Sequence, residues 1–234
     1  MTISEVVSAR TNPQDIQLRI NSATPLSEAL IKQVEQACDG AEDTSGESVV
    51  VLHVADGIGG SHAWPGEVGI HLVNKWERAL RRLERSPSAV IATASGHCSG
   101  PALDLLLTAD YRIATNDLRL SPPVTEGQLW PGMALHRLAN QIGVARARRL
   151  VLFGSDVTAS RAVQLGIIDE IGDTTACLSD AVAYAATLFS GVVGTELAIR
   201  RRLLLDATTT SFEDSLGTHL AACDRMLRRV RQAD

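Results

Sequence analysis

The sequence predicts an α/β fold with a parallel sheet, surrounding helices and a helical C-terminal region. Short runs rich in β-branched residues alternate with amphipathic helical patterns, which is typical of parallel strands joined by right-handed helical crossovers. Residues 191–234 carry helical patterning alone. The chain has 234 residues, 45% of them apolar, which is enough for a sizeable core. We therefore expect one core over 1–190 and a C-terminal helical, oligomerising region over 191–234.

Strands are predicted where β-branched residues cluster. Residues 49–54 are VVVLHV and residues 89–93 are AVIAT. Both runs have the composition of strands that are buried on both faces of a parallel sheet. Further short strands are predicted over 15–20, 111–114, 118–121 and 166–171.

Helix ends are predicted from capping residues. Thr24 is a favourable N-cap, Pro25 suits the first helical position, and Gly40 follows the last turn, so a helix is predicted over 25–38. A second helix is predicted over 68–85 from its single apolar face. That face consists of Ile70, Val73, Trp76, Leu80 and Leu83.

A further helix is predicted over 101–109, and helices dominate after Pro131. The last of them carries an apolar stripe between Ser211 and Val230, which needs a surface to cover it. Both the chain's own core and a second subunit could provide that surface. The stripe consists of Phe212, Leu216, Leu220, Cys223, Leu227 and Val230.

Charge and composition exclude several functional classes. A net charge of −5 argues against a nucleic-acid or membrane-surface binder. With no secretory signal and no apolar run of about 18 residues, we expect a soluble, cytoplasmic protein. Lys32 and Lys75 are the only lysines, which argues against Schiff-base catalysis. The four cysteines are scattered and no H-E-x-x-H motif occurs, so we expect neither a disulfide framework nor a metal site.

Residues 89–110 contain the most informative element, a buried strand that runs through a glycine turn into a helix. Such a turn presents backbone N–H groups to a developing anion. One interpretation is a nucleophile elbow, because Gly96-His97-Cys98-Ser99-Gly100 matches the G-x-[S/C]-x-G pattern. Cys98 is then the nucleophile of a hydrolase like dienelactone hydrolase. The acid is Asp169 or Asp173, and the base is His219.

The other interpretation is an oxyanion turn without a nucleophile, and it comes from a resemblance over about 88–173. Ser88 to Gly96, Leu103 to Leu107 and Ala109 to Ala114 resemble the strand, helix and CDIRIA strand of the crotonase (enoyl-CoA hydratase/isomerase) superfamily, without a gap. The later elements follow in the family's order. They are Trp130-Pro131-Gly132, Gly143 to Ala147, Gly154, Ala159, Ala162 and Leu165 to Glu170. The resemblance implies a crotonase-like ββα superhelix with a C-terminal helical region.

The resemblance also implies an acyl-CoA thioester whose carbonyl oxygen accepts hydrogen bonds from two backbone N–H groups. In the family's register one donor position is Pro101, which has no N–H. Gly100 or Ala102 could serve only if the turn is reshaped. The second donor belongs to the loop after the 49–54 strand, where Gly59, Gly60 and Ser61 are candidates. The implied oxyanion hole is therefore degenerate.

Hydratases of this family use two glutamates. The first position corresponds to Asp104, which the resemblance implies is the general acid/base. The second falls on Pro123 or Val124, neither of which is a carboxylate, and Glu126 lies nearby. We therefore expect a hydratase- or dehydratase-like lyase with one surviving carboxylate, or a non-catalytic subunit. Beyond coenzyme A in the substrate, no cofactor or metal is implied.

Within the family, this short, arginine-rich form is similar to the hydratase-like accessory components of 3,5-dihydroxyphenylacetyl-CoA formation, in antibiotic biosynthesis. That likeness implies assistance with dehydration or aromatisation of a polyketide acyl-CoA. The implied partners are a polyketide synthase and a second crotonase homologue. Family members form trimers or hexamers, partly through C-terminal helices, and we expect the same here. Arg200 to Arg202 are candidates for binding the CoA phosphates.

Overall fold

A five-stranded parallel sheet organises the fold in a computed structural model that describes residues 15–45, 48–56, 64–125, 127–172, 175–192 and 194–233. The strands of this sheet are β1 (Ile16–Asn21), β2 (Val49–Ala55), β3 (Ala89–Ser95), β5 (Tyr111–Thr115) and β10 (Glu170–Gly172). They lie in the order β1-β2-β3-β5-β10, and every neighbouring pair is parallel. The predicted α/β class is confirmed.

Five short strands and a series of helices complete the described chain. The short strands are β4 (His97–Cys98), β6 (Arg119–Leu120), β7 (Val124–Thr125), β8 (Gln128–Leu129) and β9 (Val157–Thr158). The helices are α1 (Glu28–Asp43), α2 (Ile70–Leu83), α3 (Gly100–Leu106), α4 (Ala134–Ile142), α5 (Val144–Phe153), α6 (Ala159–Leu165), α7 (Thr175–Leu188), α8 (Thr195–Asp206) and α9 (Phe212–Ala233). Among the described helices, none is long and apolar enough to cross a bilayer.

The sheet is buried on both faces, as the composition of its central strands predicts. On one face, side chains such as Leu52 and Ala92 join a cluster that includes residues of α1, α2 and α3. On the other face, Val51, Ile91 and Ile113 pack in a smaller cluster with buried residues of α7. Alternate residues of each strand serve the two clusters because successive side chains point to opposite faces.

Both predicted ends of the first helix are wrong, and so is one residue of the predicted apolar face of the second helix. Helix α1 begins at Glu28 rather than Pro25, because the Oγ atom of Ser27 accepts a hydrogen bond from the Leu30 N–H at 3.2 Å and so caps the helix. Gly40 lies within this helix. On α2, Ile70 is 79% exposed and does not belong to the buried face. Such side-chain contacts form only in the folded chain, and helix propensity alone does not predict them.

The predicted strand over 166–171 is shorter than expected. Gly166 has φ +75° and ends α6 in the left-handed conformation that glycine favours. The strand β10 begins only at Glu170. Its register places Glu170 beside Ile113 of β5, so the chain after α6 still returns to the edge of the sheet.

The two last helices differ in how they contact the rest of the chain. Helix α8 is tied to the sheet by Arg201, whose Nε donates to Asp110 Oδ1 at 2.7 Å. Helix α9 keeps its apolar stripe exposed, with Phe212 73% accessible. The predicted stripe is confirmed, and the described part of the chain does not cover it. The division at residues 190 and 191 stays a prediction.

Candidate active site

The turn between β3 and α3 is held by side chains and backbone from distant segments. Gly96 has φ +62°, and a Cβ atom there would lie 2.8 Å from the Cβ of Asp56, so only glycine fits. The hydroxyl of Ser22 donates to the His97 carbonyl at 2.6 Å and accepts from the Ser99 N–H at 3.1 Å. Ser22, at the end of β1, therefore fixes the path of the chain into α3.

The first residues of α3 leave few backbone donors. Pro101 lies in the first helical turn and has no N–H. The N–H of Ala102 donates to the Ser99 carbonyl at 3.2 Å. Gly100 is buried with φ +52°, and a Cβ atom there would lie 3.1 Å from Cγ of Trp64. Of these three positions, Gly100 alone has a backbone N–H that does not donate to another residue of the described turn.

Asp104 lies on α3 with its side chain enclosed, 5% exposed. Its Oδ2 atom accepts a hydrogen bond from Nε1 of Trp76 at 2.9 Å. Burial raises the pKa of the Asp104 carboxyl to about 7, because removal from water penalises the charged form. The hydrogen bond from Trp76 and the charge of Arg137 oppose this rise, and the charge of Glu77 adds to it. Both protonation states are therefore accessible near neutral pH.

Two tryptophans enclose this part of the molecule. Trp76 on α2 is 1% exposed, and its ring centroid lies 5.8 Å from that of Trp64 with an interplanar angle of 69°. This edge-to-face arrangement is favourable for aromatic pairs. Trp64 packs on Gly100 while Trp76 contacts Asp104. The aromatic pair thus links the glycine turn to the carboxyl group.

A buried ionic cluster adjoins Asp104. Nε of Arg137 on α4 donates to Glu84 Oε1 at 2.6 Å, and its guanidinium also pairs with Glu77 Oε2 at 3.0 Å. Arg81 pairs with the same Glu84 at 3.0 Å. Charges in such surroundings interact strongly because little water screens them. The cluster therefore contributes to the field in which the Asp104 proton is held.

Four of the candidate site residues named from the sequence lie outside the part of the chain that the structure describes. Gly59 and Gly60 lie outside the described residues, as do Ser61 and Glu126. At the second carboxylate position, Pro123 is buried and Val124 is an exposed residue of β7. Within the described chain, Asp104 is thus the carboxylate that the family register places in the site.

The geometry contradicts the cysteine-nucleophile interpretation. Cys98 is 0% exposed, and burial raises the pKa of its thiol to about 12, so almost no thiolate forms at neutral pH. The Asp169 carboxylate accepts a hydrogen bond from the Arg112 N–H at 2.8 Å. His219 is exposed on α9, and Asp173 lies outside the described residues. Cys98 is a packing residue.

The three arginines proposed to bind CoA phosphates have different surroundings in the structure. Arg201 points inward to Asp110, while Arg200 is exposed and the exposed Arg202 hydrogen-bonds to Asp206 at 3.3 Å. Arg201 is therefore not available to a phosphate. Among the residues that the structure describes, no group of three or more histidine, cysteine or acidic side chains could hold a metal ion.

Sequence reasoning missed Ser22 and Trp64, and it treated Trp76 only as part of an apolar face. One signal was present: a buried indole needs an acceptor for its N–H. An aspartate flanked by leucines also needs a partner. Trp76 and Asp104 can satisfy each other, but the sequence alone does not show that their side chains meet.

Comparisons with known proteins find a matching family profile and a similar protein. The profile of a family described as "Enoyl-CoA hydratase/isomerase" matches residues 68–234. A protein of Amycolatopsis orientalis named "Enoyl-CoA-hydratase" is 44% identical over 215 residues, which cover 92% of this chain and 97% of that protein.

Solved structures share the fold at lower sequence identity. An enoyl-CoA hydratase/isomerase from Marinobacter aquaeolei superposes with a TM-score of 0.77 at 20% identity, covering 94% of this chain and 90% of that one. An enoyl-CoA hydratase from Bacillus anthracis has the same TM-score and identity, with coverage of 91% and 87%. These likenesses establish a crotonase-type fold for the chain.

Proposed function

Because this chain belongs to the enoyl-CoA hydratase/isomerase family, we propose that it is a dehydratase-like lyase in which Asp104 is the catalytic acid/base. The observation that carries the proposal is the enclosed Asp104 carboxyl, whose pKa burial raises to about 7. A group with that pKa exchanges protons readily at neutral pH. The substrate class is a 3-hydroxyacyl thioester of coenzyme A.

A single carboxyl can complete the elimination of water. The Asp104 carboxylate takes the proton from the α-carbon, the electrons of that C–H bond form the double bond, and the C–O bond at the β-carbon breaks. Asp104 then gives its proton to the departing hydroxyl, which leaves as water. The carboxylate is regenerated, so no second acid is required. Dehydration by this route needs no carboxylate at the positions that Pro123 and Val124 occupy.

We propose further that the oxyanion hole is degenerate. Pro101 supplies no N–H, and the Ala102 N–H donates to Ser99, which leaves the Gly100 N–H as the donor from this turn. Loss of one oxyanion donor typically costs about 10²–10³ in rate. Such a site suits a substrate that dehydrates easily, for example one that gains aromatic stabilisation in the process.

That requirement favours a polyketide acyl-CoA as the substrate. Loss of water from a cyclised polyketide thioester leads towards an aromatic ring, so the product's stability offsets part of the missing oxyanion stabilisation. We place the chain in formation of 3,5-dihydroxyphenylacetyl-CoA, beside a polyketide synthase and a second crotonase homologue. The resemblance of its short, arginine-rich form to the accessory components of that reaction supports the assignment.

A synthase assay tests this function. A partner polyketide synthase is incubated with malonyl-CoA, with and without the chain, and the acyl-CoA products are followed by mass spectrometry. We expect products 18 mass units lighter for each water lost when the chain is present. Asp104→Asn should abolish this change, whereas Asp206→Asn, which alters a partly exposed carboxyl on α8, should not.

A non-catalytic accessory subunit is the second candidate. The absence of an N–H at Pro101 favours it, since the turn then stabilises an oxyanion poorly. In that case Asp104→Ala protein should stimulate the synthase as fully as the wild type does. Loss of stimulation together with loss of dehydration supports the lyase instead.

We also propose that the chain assembles as a homotrimer or hexamer through 191–234. The exposed apolar stripe of α9 supports this, because exposed apolar surface of that extent commonly marks an interface. A second copy would bury the side chains that the described part of the chain leaves accessible.

A further inference from the structure

The two carboxyl oxygens of Asp104 have different surroundings. Oδ2 accepts a hydrogen bond from Nε1 of Trp76 at 2.9 Å. The indole nitrogen is a donor only and does not titrate in the biological pH range. This contact therefore cannot receive a proton from Asp104, in either protonation state of the carboxyl.

The hydrogen bond decides where the proton sits when Asp104 is neutral. A carboxylic acid has one carbonyl oxygen, which accepts, and one hydroxyl, which donates. The oxygen that faces the indole N–H takes the accepting role, so the acidic proton resides on Oδ1. Proton exchange with a substrate must then use Oδ1.

The indole is held firmly enough to impose this orientation. Trp76 is enclosed on α2, and its ring packs edge-to-face against Trp64 at a centroid distance of 5.8 Å. Its helix neighbours Leu72, Ala79 and Leu80 are buried in the same core. Rotation of the indole away from Asp104 would require repacking of these groups, which is costly in a dense interior.

We propose that Trp76 is a positioning residue that reserves Oδ1 of Asp104 for proton transfer, an inference that rests on the acid/base role proposed for Asp104. Trp76 acts through the carboxyl and does not itself exchange a proton. Its N–H also favours the ionised form of Asp104 and so opposes the effect of burial. Trp76 thus sets both the direction and the pH range of proton transfer.

The other charged groups around Asp104 come from two helices. Helix α2 contributes Glu77, and helix α4 contributes Arg137, which is itself paired with Glu77 and Glu84. The neighbours of Asp104 on α3, Leu103 and Leu105, are buried and uncharged. Since these groups are unchanged when Trp76 is replaced, the effect of the indole N–H can be measured separately.

The test replaces Trp76 by phenylalanine, which keeps an aromatic ring but removes the donor. The substrate is the thioester released by the synthase alone, isolated and then supplied to the chain. We expect Trp76→Phe to lower kcat roughly 10–100-fold while KM stays within about twofold. The limb of the pH–rate profile that belongs to Asp104 should move to higher pH by about one unit. Trp130→Phe is the matched control, because Trp130 is not among the groups that act on Asp104, and the limb of this variant should not move.

A direct measurement does not depend on how well the variant folds. In wild-type protein labelled with ¹⁵N, the Nε1–H resonance of Trp76 should shift with pH around pH 7, and Asp104→Asn should remove that dependence. A resonance that stays constant between pH 5 and 9 would overturn the positioning role, as would an unmoved kinetic limb in Trp76→Phe. If Asp104→Asn instead leaves turnover unchanged, the acid/base function itself is wrong, whatever the resonance does.

Discussion

At the scale of single residues, Asp104 carries a cost that should be visible in stability. Its pKa rises from 3.8 in the unfolded chain to about 7 in the fold. Below pH 3.8 the carboxyl is neutral in both states and no stability is lost. As pH rises from about 4 to about 7, Asp104 ionises in the unfolded chain but stays protonated in the folded chain. The free energy of unfolding therefore falls over this range. Above that window the loss is complete.

Asp104→Asn removes this titration and should therefore stabilise the protein. We expect its Tm to exceed that of the wild type, with a difference that grows between about pH 4 and about pH 7 and then levels off. Thermal unfolding followed by circular dichroism across this range measures the effect. A difference that shrinks as pH rises would contradict the raised pKa of Asp104.

A second prediction about a single residue concerns Pro101. Pro101→Gly restores an N–H at the family's donor position, so turnover should stay equal or rise, by at most about 10²–10³. Pro87→Gly, the same change just before β3, should not raise it. The assay is turnover of the isolated synthase thioester. A large loss of activity in Pro101→Gly would show that the proline is needed and that the turn works differently.

Sequence reasoning found Asp104 and Pro101 because both lie in an ungapped segment that includes strand β3, the turn and α3. It did not find the partners that hold them. Trp76 lies 28 residues before Asp104, and Ser22 lies 77 residues before Ser99. Contacts of that separation depend on how α2 and β1 pack, and a local pattern does not carry this information.

At the scale of elements, the attachment of α8 depends on one buried ion pair. Arg201 pairs with Asp110 and also donates to the backbone carbonyls of Ser86 and Ser88. Removing one partner of a buried pair leaves the other charge without compensation, which typically costs about 3–5 kcal/mol. The helix is thus fixed to Asp110, which directly precedes β5, and to the residues before β3.

We therefore expect Arg201→Ala to lower the free energy of unfolding by about 3 kcal/mol or more. Arg202→Ala, which loses only an exposed pair with Asp206 on the same helix, should cost less than about 0.5 kcal/mol. Urea unfolding of both variants measures the difference. Equal effects would mean that Arg201 does not anchor α8.

The elements themselves were largely predictable, and their ends were not. Central strands β2 and β3 follow from β-branched runs, because composition determines burial on both faces. The start of α1 was misplaced since Thr24, Pro25 and Ser27 all suit a helix N-terminus. The hydroxyl of Ser27 decides between them, and that contact forms only in the fold.

At the scale of the whole molecule, helix α9 presents an apolar stripe that the described part of the chain does not cover. We expect the protein to sediment as a trimer or hexamer, with Leu220 and Leu227 in the interface. Leu220→Glu combined with Leu227→Glu should yield monomers in analytical ultracentrifugation. The same change at the exposed Thr218 should leave assembly intact, and an unchanged mass of the double variant would remove α9 from the interface.

The central claim, that Asp104 transfers the proton, is tested most directly by the pH dependence of turnover. The isolated synthase thioester is supplied to wild-type protein and to Asp104→Asn between pH 5 and 9. The wild type should show a limb near pH 7, and the variant should be at least about 10²-fold slower without that limb. Equal rates and equal profiles for the two proteins would contradict the claim.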